Sequence, residues 1–456
     1  MTRGSIPRHL IVFSIPMLFG NVIQAAYSIV NAVWVGKGLG ETALAAVTVS
    51  MPIMFLLIAI GIGITMGTGI LVAQFAGAKE WDRLKASVGT SVVMLSGLCV
   101  ILLALGQLFA PWILRHLQTP ANVYALAVSY MRIFLCSMPF SFGIFLAVAM
   151  LRGVGDSKTP LYFQTGSLIG TAVLDPILMF GWLGLPRMGV NGTAVASVTM
   201  QGLGVVACYL YLHHKSHIVT PNWRRIGVDW PVLWLILKIG LPSVVQQSLV
   251  SLGMLFVTGI ISGFGENSIA AFGASMRIDQ IAFLPAMTFG AAVSTLVGQN
   301  IGANQIGRVK EIFRWGIILC GGITLLMTSV LVTLPHIVLR MFLSDGPALH
   351  IGVHYLRIMG VAYLSFAMWF VANGVINGAG YTFVTTLISL VSLWVARVPL
   401  AVYLSHRMHR VEGVFIAMAI SAVASMLISQ GCYISGFWKK PIIHHRPQPE
   451  LVEMPE

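Results

Sequence analysis

The chain has 456 residues, 57% hydrophobic and only 9% charged, where soluble domains carry about 25% charged residues. Apolar stretches of about 20 residues recur along its length, each enough to cross ~30 Å of hydrocarbon, which excludes a soluble fold, and a β-barrel would need short strands of alternating polarity. The net charge of +13 does not mark a nucleic-acid binder, because the basic residues follow membrane topology.

Twelve spans are expected, centred near residues 24, 60, 98, 137, 170, 200, 247, 284, 321, 364, 393 and 425. With an inner N-terminus and alternating spans, 17 Lys and Arg residues fall in inner segments and 6 in outer ones. The positive-inside rule then sets both termini in the cytoplasm. The first stretch is too long for a cleaved signal peptide and carries Asn21, Gln24 and Asn31. Loops are short except for 213–231, which reads as a basic cytoplasmic linker. The expected division is an N-lobe over 1–213, a linker over 214–231, a C-lobe over 232–438 and a disordered tail over 439–456.

Polar groups inside hydrocarbon are costly, so their placement is informative. Span 1 carries Asn21, Gln24, Ser28 and Asn31 on one helical face. Span 5 repeats the pattern with Gln164, Ser167, Thr171 and Asp175, span 7 with Gln247, Ser251 and Thr258, and span 10 with Ser365, Trp369, Asn373 and Asn377. Such stripes either line a wet cavity or join helices by hydrogen bonds. Two carboxylates lie deep in spans. Asp175 stands before Pro176, with no basic residue within a turn; Asp279 stands two residues after Arg277. Intramembrane carboxylates of this kind serve in proton relays, and both are candidate ion-coupling groups. The alternative for Asp279 is a structural pairing with Arg277 or another arginine. Arg277 and Arg397 are expected to be paired, and Arg132 and Arg357 to snorkel or to cap carbonyls.

The chain also repeats itself. Val72-Ala73-Gln74-Phe75-Ala76-Gly77-Ala78 recurs 225 residues later as Val297-Gly298-Gln299-Asn300-Ile301-Gly302-Ala303. The same offset carries Arg83 to Arg308, Lys85 to Lys310, Gly153 to Gly378 and Gly155 to Gly380. Near the start an offset of 226 sets Pro16 on Pro242 and Asn21 on Gln247. One six-span unit is therefore used twice, and halves of this kind rock against each other around a central site.

Other chemistries lack their motifs. There is no HExxH, no GxSxG and no GxxxxGK[ST], which argues against an intramembrane enzyme and against ATP-driven transport. The five cysteines sit in apolar spans without a CxxC pair, and neither a metal site nor a bound cofactor is expected.

The SIP around Pro16, the segment 30–40, the VAQFAGA and VGQNIGA repeats, LRGVGDSKTP at 151–160 and VLDPI at 173–177 together resemble the MATE (multidrug and toxic compound extrusion) family. The resemblance covers about residues 5–437. It implies an all-α polytopic membrane protein with twelve transmembrane helices in two pseudo-symmetric six-helix lobes. It also implies an antiporter that exports organic cations or amphipathic compounds in exchange for protons or sodium ions.

By this resemblance Asp175 is the family's aspartate of helix 5, Tyr130 an aromatic of the same lobe, and Gln24 a polar position of helix 1. Pro16 is a kink and hinge of helix 1. An aspartate common in the family is Asn31 here, an asparagine is Thr171, and the carboxylates of helices 7 and 10 used by some sodium-coupled members are Gln247 and Asn373. Proton coupling through Asp175, with Asp279 as a second group, is therefore expected over sodium coupling. The expected setting is a bacterial-type inner membrane, with lipids and a small-molecule substrate as partners and a monomeric chain. A flippase or exporter of lipid-linked or specific metabolite substrates is the alternative, disfavoured because the deep charges are mixed rather than basic.

Overall fold

The computed structural model describes residues 1–117, 119–222 and 227–440. The linker pair Arg224 and Arg225, Arg446 and the rest of the tail from 441, and the Lys37 side chain lie outside the described residues.

The described residues form twelve spans, which we label in chain order: α1 Ile6–Leu39, α2 Glu41–Ala78, α3 Trp81–His116, α4 in two parts Ala121–Leu135 and Met138–Gly153, α5 Lys158–Phe180 and α6 Val190–His214. The second half supplies α7 Trp230–Ser262, α8 Glu266–Gly302, α9 Ile306–Thr333, α10 Pro347–Gly378, α11 Thr382–Met408 and α12 Glu412–Ser435. A short helix, Pro335–Leu339, precedes α10. The expected all-helical, twelve-span architecture is what the structure has, and no strand occurs among the described residues.

Most of these helices carry apolar side chains on their outer faces. Phe19, Leu108, Leu326, Val361 and Ile434 are each more than 60% exposed, an arrangement stable only where lipid replaces water. Exposed Trp81, Trp112, Trp182, Trp230 and Trp234 lie close to helix ends, the position that indole prefers at a membrane interface.

The repeat seen in the sequence is a repeat of backbone geometry. After α4 and α10, Gly155 and Gly380 both take φ of 95°, a left-handed turn that glycine adopts without steric cost. After α2 and α8, Lys79 and Asn304 both enter the left-handed region, and each turn closes with the next residue's amide on a carbonyl five residues back: Glu80 on Phe75 at 2.9 Å, Gln305 on Asn300 at 2.8 Å. The halves also depart from each other. α4 is broken by a 43° bend between its two parts, where Pro139 cannot donate a backbone bond. At the equivalent position α10 has Leu364 and runs unbroken. α11 holds a π-helical turn over Val391–Arg397, ahead of Pro399.

The halves exchange parts at the end of the bundle that carries the N-terminus. Ile6, Leu10, Phe13 and Met17 of α1 are buried in a core otherwise built from the second half, with Phe289, Val293, Val371 and Val375. Reciprocally, Val232, Ile236 and Ile239 of α7 are buried in a first-half core with Leu71, Phe75 and Leu151. At the opposite end the cores do not mix. Val35, Tyr130, Met179 and Ala194 form one entirely within the first half, and Val257, Ile278, Tyr355 and Met418 belong to one entirely within the second. The halves thus engage at the terminal end and keep separate cores at the far end.

Candidate intramembrane carboxylate site

Asp175 sits on α5, 1% exposed. One of its oxygens, Oδ2, accepts from Asn31 Nδ2 at 2.9 Å and from Tyr27 Oη at 3.2 Å. Both donors are on α1, four residues apart and so on one helical face. The other oxygen, Oδ1, is buried with no hydrogen-bond partner among the described residues. A buried acceptor left open in this way is costly. It is a place where a proton or a cation would be stabilised, and α1 and α5, joined through Asn31 and Tyr27, would feel the change directly.

The other expected residues distribute unevenly. Tyr130 is buried in the same first-half core, beside Val35 and Met179. Thr171 turns back to its own helix, donating to Ser167 O at 2.8 Å. Gln24 is exposed on α1, and Gln247 is half-buried on α7. Asn373 is buried, and its Oδ1 accepts from Ser429 Oγ of α12 at 3.1 Å. Asn377 likewise accepts from Thr385 Oγ1 of α11 at 2.7 Å. Asn373 and Asn377 of the α10 stripe therefore join helices, while Ser251 and Thr258 of the α7 stripe are exposed. Asn21 bridges the halves, donating to Thr288 Oγ1 of α8 at 3.0 Å. Pro16 lies inside α1, which continues through it as one helix. The helix changes partners beyond it, since the core residues up to Met17 pack on the second half and Val35 on the first.

Among the described residues, no arginine pairs with Asp279. Arg277 is exposed, and the carboxylate oxygens of Asp279 accept from two tyrosines of α10, Tyr363 at 2.6 Å and Tyr355 through a short hydrogen bond. Arg397 is buried on α11, donates to Ser421 Oγ at 2.7 Å and lies over the Phe366 ring. Arg132 is exposed and donates to Gln107 O at 3.3 Å, a carbonyl contact of the expected kind. Tyr27, Tyr355 and Tyr363 were not singled out by sequence reasoning. The available signals were spacing: Tyr27 is one turn before Asn31, and Tyr355 and Tyr363 are two turns apart on one face of α10.

Comparison with known proteins agrees with this architecture. The family described as MatE matches residues 16–177 and 242–403, once in each half. A protein of Bacillus subtilis named probable multidrug resistance protein YoeA is 34% identical over 446 residues, covering 96% of each chain. The multidrug export protein MepA of Staphylococcus aureus is 24% identical, covering 91% of this chain and 92% of its own. Among solved structures, a MATE transporter of Vibrio cholerae superimposes with a TM-score of 0.88 at 22% identity, covering 95% of this chain and 98% of that one. An outward-facing multidrug resistance MATE family transporter of the MOP superfamily reaches a TM-score of 0.89 at 22% identity, covering 95% and 97%. The chain is an integral membrane protein and belongs to the MatE family, whose members are efflux transporters and not enzymes.

Proposed function

We propose that this chain is a proton-coupled antiporter that exports organic cations or amphipathic drugs by alternating access, with Asp175 as the coupling carboxylate. The observation that carries this reading is the divided carboxylate: Oδ2 tied to Asn31 and Tyr27 of α1, Oδ1 buried and open. A proton on Asp175 removes its negative charge and weakens its hold on both α1 donors. It thereby biases how α1 sits on α5 and lowers the affinity for a cationic ligand held nearby. Gln24, exposed on the Asn31 side of α1, and Tyr130 are the groups we assign to the substrate path. A ligand or ion shifts such an equilibrium only by its different affinity for the two states.

Both termini are placed in the cytoplasm, on the strength of the charge asymmetry across the loops, so the engaged end is the cytoplasmic one. The names of YoeA and MepA support a drug-like substrate range. Asp279 carries a subordinate proposal, as a second proton site of the other half. Its carboxylate already satisfies two tyrosines, so protonation there would loosen the tie of α8 to α10.

The test is export of a cationic dye from proteoliposomes under an imposed proton or sodium gradient. The expected result is export driven by the proton gradient and lost in Asp175→Asn. Export driven by sodium alone, or an Asp175→Asn protein with undiminished proton-driven export, would remove the proposed coupling.

A further inference from the structure

Two glutamines 225 residues apart cross between the halves in opposite directions. Gln74 Nε2 of α2 donates to Gly378 O, the last residue of α10, at 2.8 Å. Gln299 Nε2 of α8 donates to Gly153 O, the last residue of α4, at 2.8 Å. The acceptors are separated by the same 225 residues. Both side chains are buried, Gln74 at 1% and Gln299 at 4% exposure. The backbones meet at the same place. A Cβ on Gly77 would fall 1.9 Å from Gln299 O, and one on Gly302 would fall 1.9 Å from Gln74 O.

We propose that Gln74 and Gln299 are gating residues that form a reciprocal latch, holding this end of the interface shut and releasing in each transport cycle. The inference rests on the alternating-access reading above. Two features distinguish a latch from permanent glue. First, the final carbonyls of a helix have no partner within it. Each glutamine supplies the missing donor from the opposite half, so neither bond belongs to the fold of one half. Second, an amide–carbonyl bond exchanges for bonds to water at little net cost. The four groups are paired while the end is dry and can be paired by water once it opens. Because the bonds are related by the internal repeat and sit beside the Gly77 and Gly302 backbone contacts, moving the halves apart breaks both.

Spin labels at Lys85→Cys and Lys310→Cys test this. These exposed repeat mates begin α3 and α9 at the same end, and Cys136 and Cys432 would be replaced by alanine. Gln74→Met and Gln299→Met remove each donor while keeping side-chain length. Pulsed dipolar distances, measured without substrate or ion gradient, should gain a longer-distance population. The expected rise is about fivefold for either single variant, the weight of one net hydrogen bond, and larger for the double variant. A double variant with the parent's distance distribution overturns the latch, even if its melting temperature falls, because that result describes glue. The distances do not depend on which ion or substrate is used, so failure of proton coupling and failure of the latch are separate results.

Discussion

Asn31 Nδ2 lies 2.9 Å from Asp175 Oδ2, across the boundary between α1 and α5. By family resemblance an aspartate is common where Asn31 stands. Two carboxylates at this separation would repel, whereas an amide donates. Asp175 is here one carboxylate with two α1 donors, Asn31 and Tyr27, on a single oxygen.

Asn31→Ala should therefore weaken coupling without dismantling the fold. It removes one donor from Asp175, leaving Tyr27 on the same oxygen. A hydrogen bond to a charged group is worth about 1.5–3 kcal/mol, so gradient-driven dye export should fall about tenfold or more, with Tyr27→Phe having a smaller effect across its longer contact. Export assays in proteoliposomes check the order of these effects; equal rates for both variants and the parent would contradict it.

Gly77→Ala and Gly302→Ala should each damage the terminal end of the interface. Their added methyl groups would meet backbone carbonyls, which cannot rotate aside as a side chain can. Overpacking of this kind costs about 1–3 kcal/mol, visible as a lower melting temperature in detergent. Gly97→Ala on α3, where a Cβ meets nothing within 4 Å, should melt at or above the parent temperature.

Asn373→Ala and Gln24→Ala should separate two uses of intramembrane polarity. Asn373 is buried against Ser429, and its loss should lower stability by about 1–2 kcal/mol while leaving substrate preference intact. Gln24 is exposed, and its loss should change the relative rates for a panel of dyes at unchanged melting temperature. Thermal scans and transport rates on the same preparations decide between these outcomes.

Tyr363→Phe should lower stability through Asp279. The hydroxyl it removes fills one of the two carboxylate oxygens, and an unsatisfied buried acceptor costs about 1–3 kcal/mol. The drop should shrink in an Asp279→Asn background, where the tie is already changed. A double-mutant cycle of melting temperatures measures that coupling, and simple additivity would deny it.

His217, in the segment after α6, provides a pH test outside the membrane. Burial lowers its pKa from 6.5, with the nearby Asp156 opposing. Its unfolded state therefore binds the proton first as pH falls, so its contribution works against the fold below about pH 6.5. His217→Gln should flatten the loss of stability between neutral pH and about pH 5; an unchanged pH profile of melting would contradict this.

Twelve spans, their duplication and the depth of Asp175 and Asp279 were legible in the residues alone. Each of these is a property of one segment: apolar length sets a span, spacing sets a helical face, and an exact offset sets the repeat. Tertiary packing decided who meets whom. It buried the first turns of α1 and α7 in the opposite halves, gave Asp279 tyrosines rather than an arginine, and paired Asn373 with Ser429 of α12. It also joined Gln74 to a carbonyl 304 residues away. A polar group in hydrocarbon must find a partner, but helical periodicity states only which way the group faces. The partner is set by which helix the packing of apolar surfaces brings alongside.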